Sequence, residues 1–484
     1  MRRKDMAAQE NNSAVAAVSG FFKAIGGFFA DFGTAVVKGD AFVKLSLIWM
    51  GAGYAKRKQY VKAALMTLLE IAVIVFSVKF AMQYVPKFST LGTVKMEKVF
   101  NMKTMKSEFN DYDNSFTILL FSLFSFVVWF KNVINAYALQ KMEEAGKHIN
   151  TFKEDLRSLT EEKFHITLLT LPVLGVLIFT FIPILLLIFV AFTNYDQQHM
   201  PPTELFSWVG LSNFINLFGG GGLTSTFGYA FVRVLGWTLV WAFFATFTTY
   251  IGGILLSLLL NSKKTRLPKM WRTLFIVTIA VPQFVSLLLV RNFFSNGGIV
   301  NTICHSIGLT GFLRSIGLVS TSYIPFLSAP GWAHVMIILI NIWIGVPYQM
   351  LIATGVLMNL PSDQLESARV DGATNFQIFR KITMPYLLFV TGPALITDFV
   401  KNINNFNVIY LLTQDVYTTT NQAMASSQAK EVDLLVTWLY KLTVDLQYFN
   451  VGAVVGILTF VILAVVSLIT YRNTGSYKNE EGFQ

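Results

Sequence analysis

The sequence predicts an all-α polytopic membrane protein with about eight transmembrane helices. Hydrophobic residues make up 54% of its 484 positions and charged residues only 13%. The mean hydropathy of +0.55 is too high for a soluble chain of this length. Apolar residues gather into runs of about twenty, the length a helix needs to cross a bilayer core. Basic residues gather beside those runs, so membrane orientation explains the net charge of +11 better than nucleic-acid binding does.

Residues 1–60 form a basic, amphipathic segment. It has no apolar core leading to a small-residue cleavage site, which argues against a cleaved signal peptide. Phe21, Phe22, Ile25, Phe28, Phe29, Phe32, Val36 and Val37 recur at helical spacing among Lys23, Asp31 and Lys38, the pattern of an interfacial helix. GAGYAKRKQYVKA has no phosphate-loop spacing and reads as a cytoplasmic anchor before the first span, 61–85. A polar loop (86–115), a second span (116–137) and a charged connector complete the stretch to 165. The third span, 166–192, ends in FTNYD. The glycine run 219–222 reads as a flexible turn rather than a ligand cradle.

Spans 234–260 and 271–293 flank NSKKTRLPKMWR, whose Lys263, Lys264, Arg266, Lys269 and Arg272 assign that loop to the cytoplasm. Spans 331–355, 386–412 and 451–471 follow, and the tail, 473–484, is cytoplasmic like the amino terminus. The loop 86–115 runs against the charge rule, since it must be external yet carries Lys87, Lys95, Lys98, Lys103 and Lys106. The single cysteine, Cys304, excludes an internal disulfide, and with five histidines in the chain no metal site is expected.

Two spans carry polar residues where they are costly. Helical spacing aligns Asp398, Lys401, Asn402 and Asn405 on one stripe of the seventh span. Carboxylate, ammonium and amides suit a neutral, hydroxyl-rich ligand, because each hydroxyl both donates and accepts. The alternative is an Asp–Lys pair with amides joining helices. The sixth span offers His334, Asn341, Gly345 and Tyr348, with Trp343 nearby and Pro347 to bend the helix. Aromatic faces stack on sugar rings, although Trp343 and Tyr348 also suit interfacial anchoring.

Between these spans, residues 361–385 read PSDQLESARVDGATNFQIFRKITMP. Ser362 is placed to cap a first helix and Gly372 to end it, while Thr374 and Gln377 form a capping box for a second helix, with Pro385 opening the next span. The result is a knob outside the membrane. The order Glu366, Ser367, Ala368, three residues, Gly372, nine residues, Ile382, Thr383, Met384, Pro385 resembles the EAA loop of ABC importer permeases, with Ser367 and Met384 as conservative departures.

WIGVPYQMLIATGVLMNLP, NINNFNVIYLLT, WVGLSNFINLF and LLVTWLYKLT look further like the larger permease subunit of maltose and maltodextrin importers, over most of the chain from the third span onward. The resemblance implies a type I ABC importer permease fold with its core at 166–472 and a cytoplasmic EAA loop that docks on an ATP-hydrolysing subunit through Glu366, Ser367, Ala368 and Gly372. It also implies a mid-membrane sugar site at Trp343, Gly345, Tyr348, Asp398, Lys401, Asn402 and Asn405. Expected partners are a second permease subunit in a heterodimer, a dimer of ATP-binding subunits, an extracellular solute-binding protein, an oligosaccharide and the lipid of a bacterial cell membrane. No cofactor and no catalytic residue are expected, since the chain lacks a phosphate loop of its own.

The main alternative is an ion-coupled secondary sugar transporter using Asp398. A membrane-embedded enzyme would need a catalytic constellation, and none is visible. Secondary transporters are often built from internal repeats, and the EAA-like pattern occurs only once.

Overall fold

The computed structural model describes residues 26–28, 30–76, 78–79, 85–102, 106–114, 116, 132–219, 223–262, 264–414, 416 and 421–472. Most of the expected second span and residues 1–25 of the amino-terminal segment lie outside these residues, as does the carboxyl tail. The described chain divides into two compact units, residues 1–189 with 193–208 and residues 190–192 with 209–484.

In the first unit, short helices α1 (Ala41–Leu45) and α2 (Ala52–Lys56) precede α3 (Tyr60–Phe76). The Arg57 guanidinium, fully buried, pairs with Asp40 at 3.0 Å and with Glu143 at 3.0 Å. A capping box between Thr151 and Glu154 opens α4 (Phe152–Thr160), and α5 (Phe164–Val190) is an apolar span.

The loop expected at 86–115 is not merely polar coil. It contains a two-stranded antiparallel hairpin, β1 (Lys98–Asn101) with β2 (Lys106–Phe109), set within the mostly helical fold the sequence predicts. A compact base supports the hairpin. Asp113 accepts from the Thr93 and Val94 N–H groups at 2.9 and 3.1 Å and from the Lys87 ammonium at 2.5 Å. Burial works against the Asp113 charge, yet these donors outweigh it and hold the carboxyl below the usual aspartate range. Aromatic side chains, Trp208 and Phe206 among them, pack around Leu91, and the Trp208 indole donates to the Phe88 carbonyl at 2.8 Å.

The second unit is built on α6 (Leu223–Asn261), against which α9 (Pro330–Met358) packs along much of its length. Small residues allow the approach. A Cβ on Gly253 would sit 2.4 Å from Gln349 Cβ, and one on Gly252 would sit 2.7 Å from a Val346 methyl. Hydroxyl pairs join the helices where no water competes. Ser257 meets Thr354 at 2.8 Å, and Tyr250 meets Thr391 of α11 (Met384–Ile403) at 2.7 Å. Trp241, Leu287, Ile337, Ile340 and Val408 fill the core between them, and α13 (Phe449–Arg472) packs beside α11.

Among the described residues five helices are long and apolar enough to cross a membrane, or six if one bent pair counts as a span. That pair takes the place of the single span expected at 271–293: α7 (Pro268–Ala280) and α8 (Gln283–Phe293) meet at 94°. Val281 is extended, as the residue before a proline prefers, and Pro282 has no N–H to continue the ladder. The span expected at 386–412 also divides. After α11 the chain turns at Asn404 and Asn405 into α12 (Phe406–Leu412).

Candidate functional site

The elbow between α7 and α8, the middle of α9 and the end of α11 enclose a cavity of about 630 Å³. Trp343, Gly345, Tyr348, Asp398, Lys401, Asn402 and Asn405 all line it. The two indicated aromatic rings stand about half exposed on its wall. Gly345 is needed for packing as well, since a Cβ there would lie 2.7 Å from the Thr249 methyl.

The polar stripe of α11 does not form an Asp–Lys pair. The Gln349 amide of α9 donates to Asp398 at 2.6 Å, and the Lys401 ammonium lies 6.0 Å above the Tyr348 ring, with no ion-pair partner among the described residues. An unpaired cation at this depth is costly and points to a watery or ligand-filled cavity. Asn402 has a second duty. It donates to Thr246 of α6 at 3.0 Å, while its carbonyl accepts from the Trp241 indole at 2.9 Å. Asn405 caps α12 through the Val408 N–H.

His334, placed by spacing on the same stripe as Tyr348, is not in the cavity. Its ring packs on Trp237 at 4.0 Å between centroids and contacts the Glu431 carbonyl at 3.0 Å. Asn341 does line the cavity and also reaches the Ala245 carbonyl at 3.4 Å. Pro347 leaves α9 unbroken. Sequence reasoning missed Thr249, Gln283, Ser286 and Gln349, which reach the cavity from three helices. Only Gln349 carried a signal, as the polar neighbour of Tyr348.

The helices that form two of the cavity walls, α9 and α11, are joined by the knob. Its first helix, α10 (Ser362–Val370), begins at Ser362, so the residue outside it is Pro361 and the serine does not cap. Gly372 has φ +78°. The Gly372 N–H donates to the Arg369 carbonyl at 3.0 Å and the Ala373 N–H to the Ala368 carbonyl at 2.9 Å, the paired bonds of a Schellman ending. Thr374 and Gln377 form the expected capping box. The second helix is not separate. From Asn375–Ile378 it continues through a wide turn at Phe379–Thr383 straight into α11. Glu366, Ser367 and Gly372 are exposed and Ala368 is half-buried, while Val370 is 88% and Phe376 68% exposed.

Residues 250–474 match the family described as binding-protein-dependent transport system inner membrane component. A maltodextrin transport system permease protein of Bacillus subtilis (strain 168) is 34% identical over 367 residues, covering 75% of this chain and 81% of that protein. A galactooligosaccharides transport system permease protein of the same organism is 34% identical over 364 residues, 75% of this chain and 82% of that protein. Among solved structures, a bacterial ABC transporter involved in alginate import aligns over 66% of this chain and 96% of its own at 23% identity, with a TM-score of 0.48.

Proposed function

This chain belongs to the family of binding-protein-dependent transport permeases that includes the maltodextrin transport system permeases, and on that premise we propose that its cavity carries an oligosaccharide, of maltodextrin or galacto-oligosaccharide type, across the membrane. It is a multi-pass permease subunit of an ABC importer. ATP is hydrolysed by a partner that the knob contacts through Glu366, Ser367, Ala368 and Gly372. A second permease subunit completes the path, and an extracellular binding protein delivers the sugar. Both termini and the knob face the cytoplasm.

The observation that carries this reading is the connection of the cavity to the knob. Tyr348 and Gln349 stand on the helix that enters the loop, and Asp398, Lys401 and Asn402 on the helix that leaves it. A partner that moves the knob therefore moves both walls of the cavity. The sugar contacts follow from chemistry. Trp343 and Tyr348 offer faces for pyranose rings, while Asn402, Asn405, Asp398 and Lys401 offer acceptors and donors to hydroxyls. The ion-coupled alternative finds no support among the relatives, and Asp398 is engaged by Gln349.

The test is uptake of maltotriose and galactotriose by the complex in proteoliposomes. Tyr348→Ala should lower uptake severalfold at unchanged expression, because half of the ring is exposed to the cavity and little packing is lost. Asn402→Ala should lower uptake and also thermal stability, since it breaks a helix–helix bond at the same time. Wild-type uptake in Tyr348→Ala and in Trp343→Ala would refute the cavity as the sugar site.

A further inference from the structure

We infer that the segment between α8 and α9 lies on the membrane surface, where its two short helices, Ile299–Ser306 and Leu309–Ser315, turn apolar faces to the lipid, whichever sugar the cavity takes. The distribution of side chains is the reverse of that in a soluble loop. In the first helix Asn301 and Cys304 are buried, and Ile299 and Ile303, followed by Ile307, fill the opposite side at intervals of four. In the second Thr310 is buried, while Phe312 and then Ile316 stand outward. Each of these five apolar side chains is more than half exposed. One exposed isoleucine is ordinary. A row of them on two neighbouring helices is a face that needs cover.

The helices cannot roll this face inward, because their inner side is already bound. The Asn301 side chain accepts from the Ile324 N–H at 2.8 Å and donates to the Ile324 and Ser295 carbonyls at 3.0 and 3.1 Å. Cys304, Val319 and Ile324 form a small core beneath. Phe326 ties that core to both flanking spans: its ring meets Phe294, just past α8, at 5.4 Å and Trp332 of α9 at 6.0 Å between centroids. The tethers decide what lies against the outer face. Only residues 294–298 separate the end of α8 from Ile299, and the Gly298 N–H folds them into a turn by donating to the Ser295 carbonyl at 2.9 Å. Even fully stretched, so short a link reaches only about 20 Å, so the first helix stays beside the end of the bent span. Charge fits the same occupant. Residues 294–329 contain no Asp or Glu, and His305 and Arg314 are both exposed. Isoleucine and phenylalanine edged by a cation and free of carboxylates suit acyl chains beneath a layer of phosphate headgroups. Such a raft would hold the neighbouring ends of α8 and α9, two walls of the cavity, at the level of the bilayer surface.

The experiment attaches a nitroxide to Ile303→Cys, and separately to Phe312→Cys, in a Cys304→Ala background, with the whole permease complex in nanodiscs of phosphatidylcholine and phosphatidylglycerol. Collisions are measured with oxygen, which partitions into lipid, and with a nickel chelate, which stays in water. Lys153→Cys, at an exposed position of the charged connector, is the water reference, and Phe179→Cys, 80% exposed in the apolar span α5, is the lipid reference. At 303 and 312 the ratio of oxygen to nickel collisions should be severalfold above that at 153 and should not exceed that at 179. Phe312→Trp needs no exchange of Cys304 and keeps the inference testable should that background fail to fold; its added fluorescence should be quenched by lipid brominated near the headgroup. Nickel collisions as frequent as at 153, or no quenching of the added tryptophan, would place the face in water and overturn the inference. Low collision rates with both reagents would show that protein covers it, whether the second permease subunit or the binding protein, and would overturn it as well.

Discussion

Replacing Gly372 separates the shape of the knob from its sequence. No atom lies within 4 Å of the position a Cβ would take, so any effect of a side chain there is conformational rather than a clash. At φ +78° a residue with a Cβ costs about 1–2 kcal/mol, and a β-branched one costs more. Gly372→Val should therefore abandon the left-handed turn and lose the bonds to Arg369 and Ala368, each worth about 0.5–1.5 kcal/mol. A residue that leaves the turn no longer carries its strain, so the cost is that of the two bonds, about 1–3 kcal/mol, and α10 would meet its proposed partner at the wrong angle. Gly372→Asn should be nearly silent, because asparagine tolerates this region, and Gly372→Ala should fall between. The assay is binding-protein-stimulated ATP hydrolysis and sugar uptake by the reconstituted complex. Gly372→Val should lose both while still inserting, since no span is touched. Wild-type rates in Gly372→Val, or equal losses in Asn and Val, would refute the argument that a left-handed corner sets the coupling geometry.

Gly253→Ala should lower the thermal stability of the purified protein by about 1–3 kcal/mol, because the new methyl would overlap Gln349 Cβ and the Gln349 and Met350 backbone. A Tm equal to wild type would show that α6 and α9 can part at no cost. The loop around Asp113 should loosen in acid. Its folded-state pKa is lowered, so the stabilisation is present above the usual aspartate value and is lost as pH falls through the lower folded value. Protease sensitivity of the loop should rise below about pH 4, and Asp113→Asn should be loose already at pH 7. A pH-independent digestion rate in the wild type would count against this. Finally, a cysteine at Lys264 in a Cys304→Ala background should be labelled only from the cytoplasmic side; labelling from outside intact cells would reverse the proposed orientation.

The apolar runs and the knob were legible in the sequence because each is decided locally. Gly372, Thr374 and Gln377 act through bonds to residues within five positions of themselves, and periodicity alone puts Asp398, Lys401, Asn402 and Asn405 on one stripe. Periodicity orders residues along one helix and is silent about its neighbours. His334 shares the stripe of Tyr348 yet is taken up by Trp237 and the Glu431 carbonyl, and Asp398 bonds to Gln349 of another helix instead of the lysine one turn away.

Three of the prolines within apolar runs show where local reasoning stops. Pro172 and Pro347 lie inside helices that run on through them, whereas at Pro282 the chain turns through 94°. A proline removes the same donor at all three positions, so the difference lies in what receives the backbone it frees. Pro347 is buried in the helix packed against α6, so the backbone it frees is met by protein. At Pro282 the neighbouring space is the cavity, which can hydrate or otherwise satisfy the groups a broken helix leaves. The elbow and the cavity therefore account for each other: a break at this depth needs a polar space beside it, and the break is what turns Gln283 into that space.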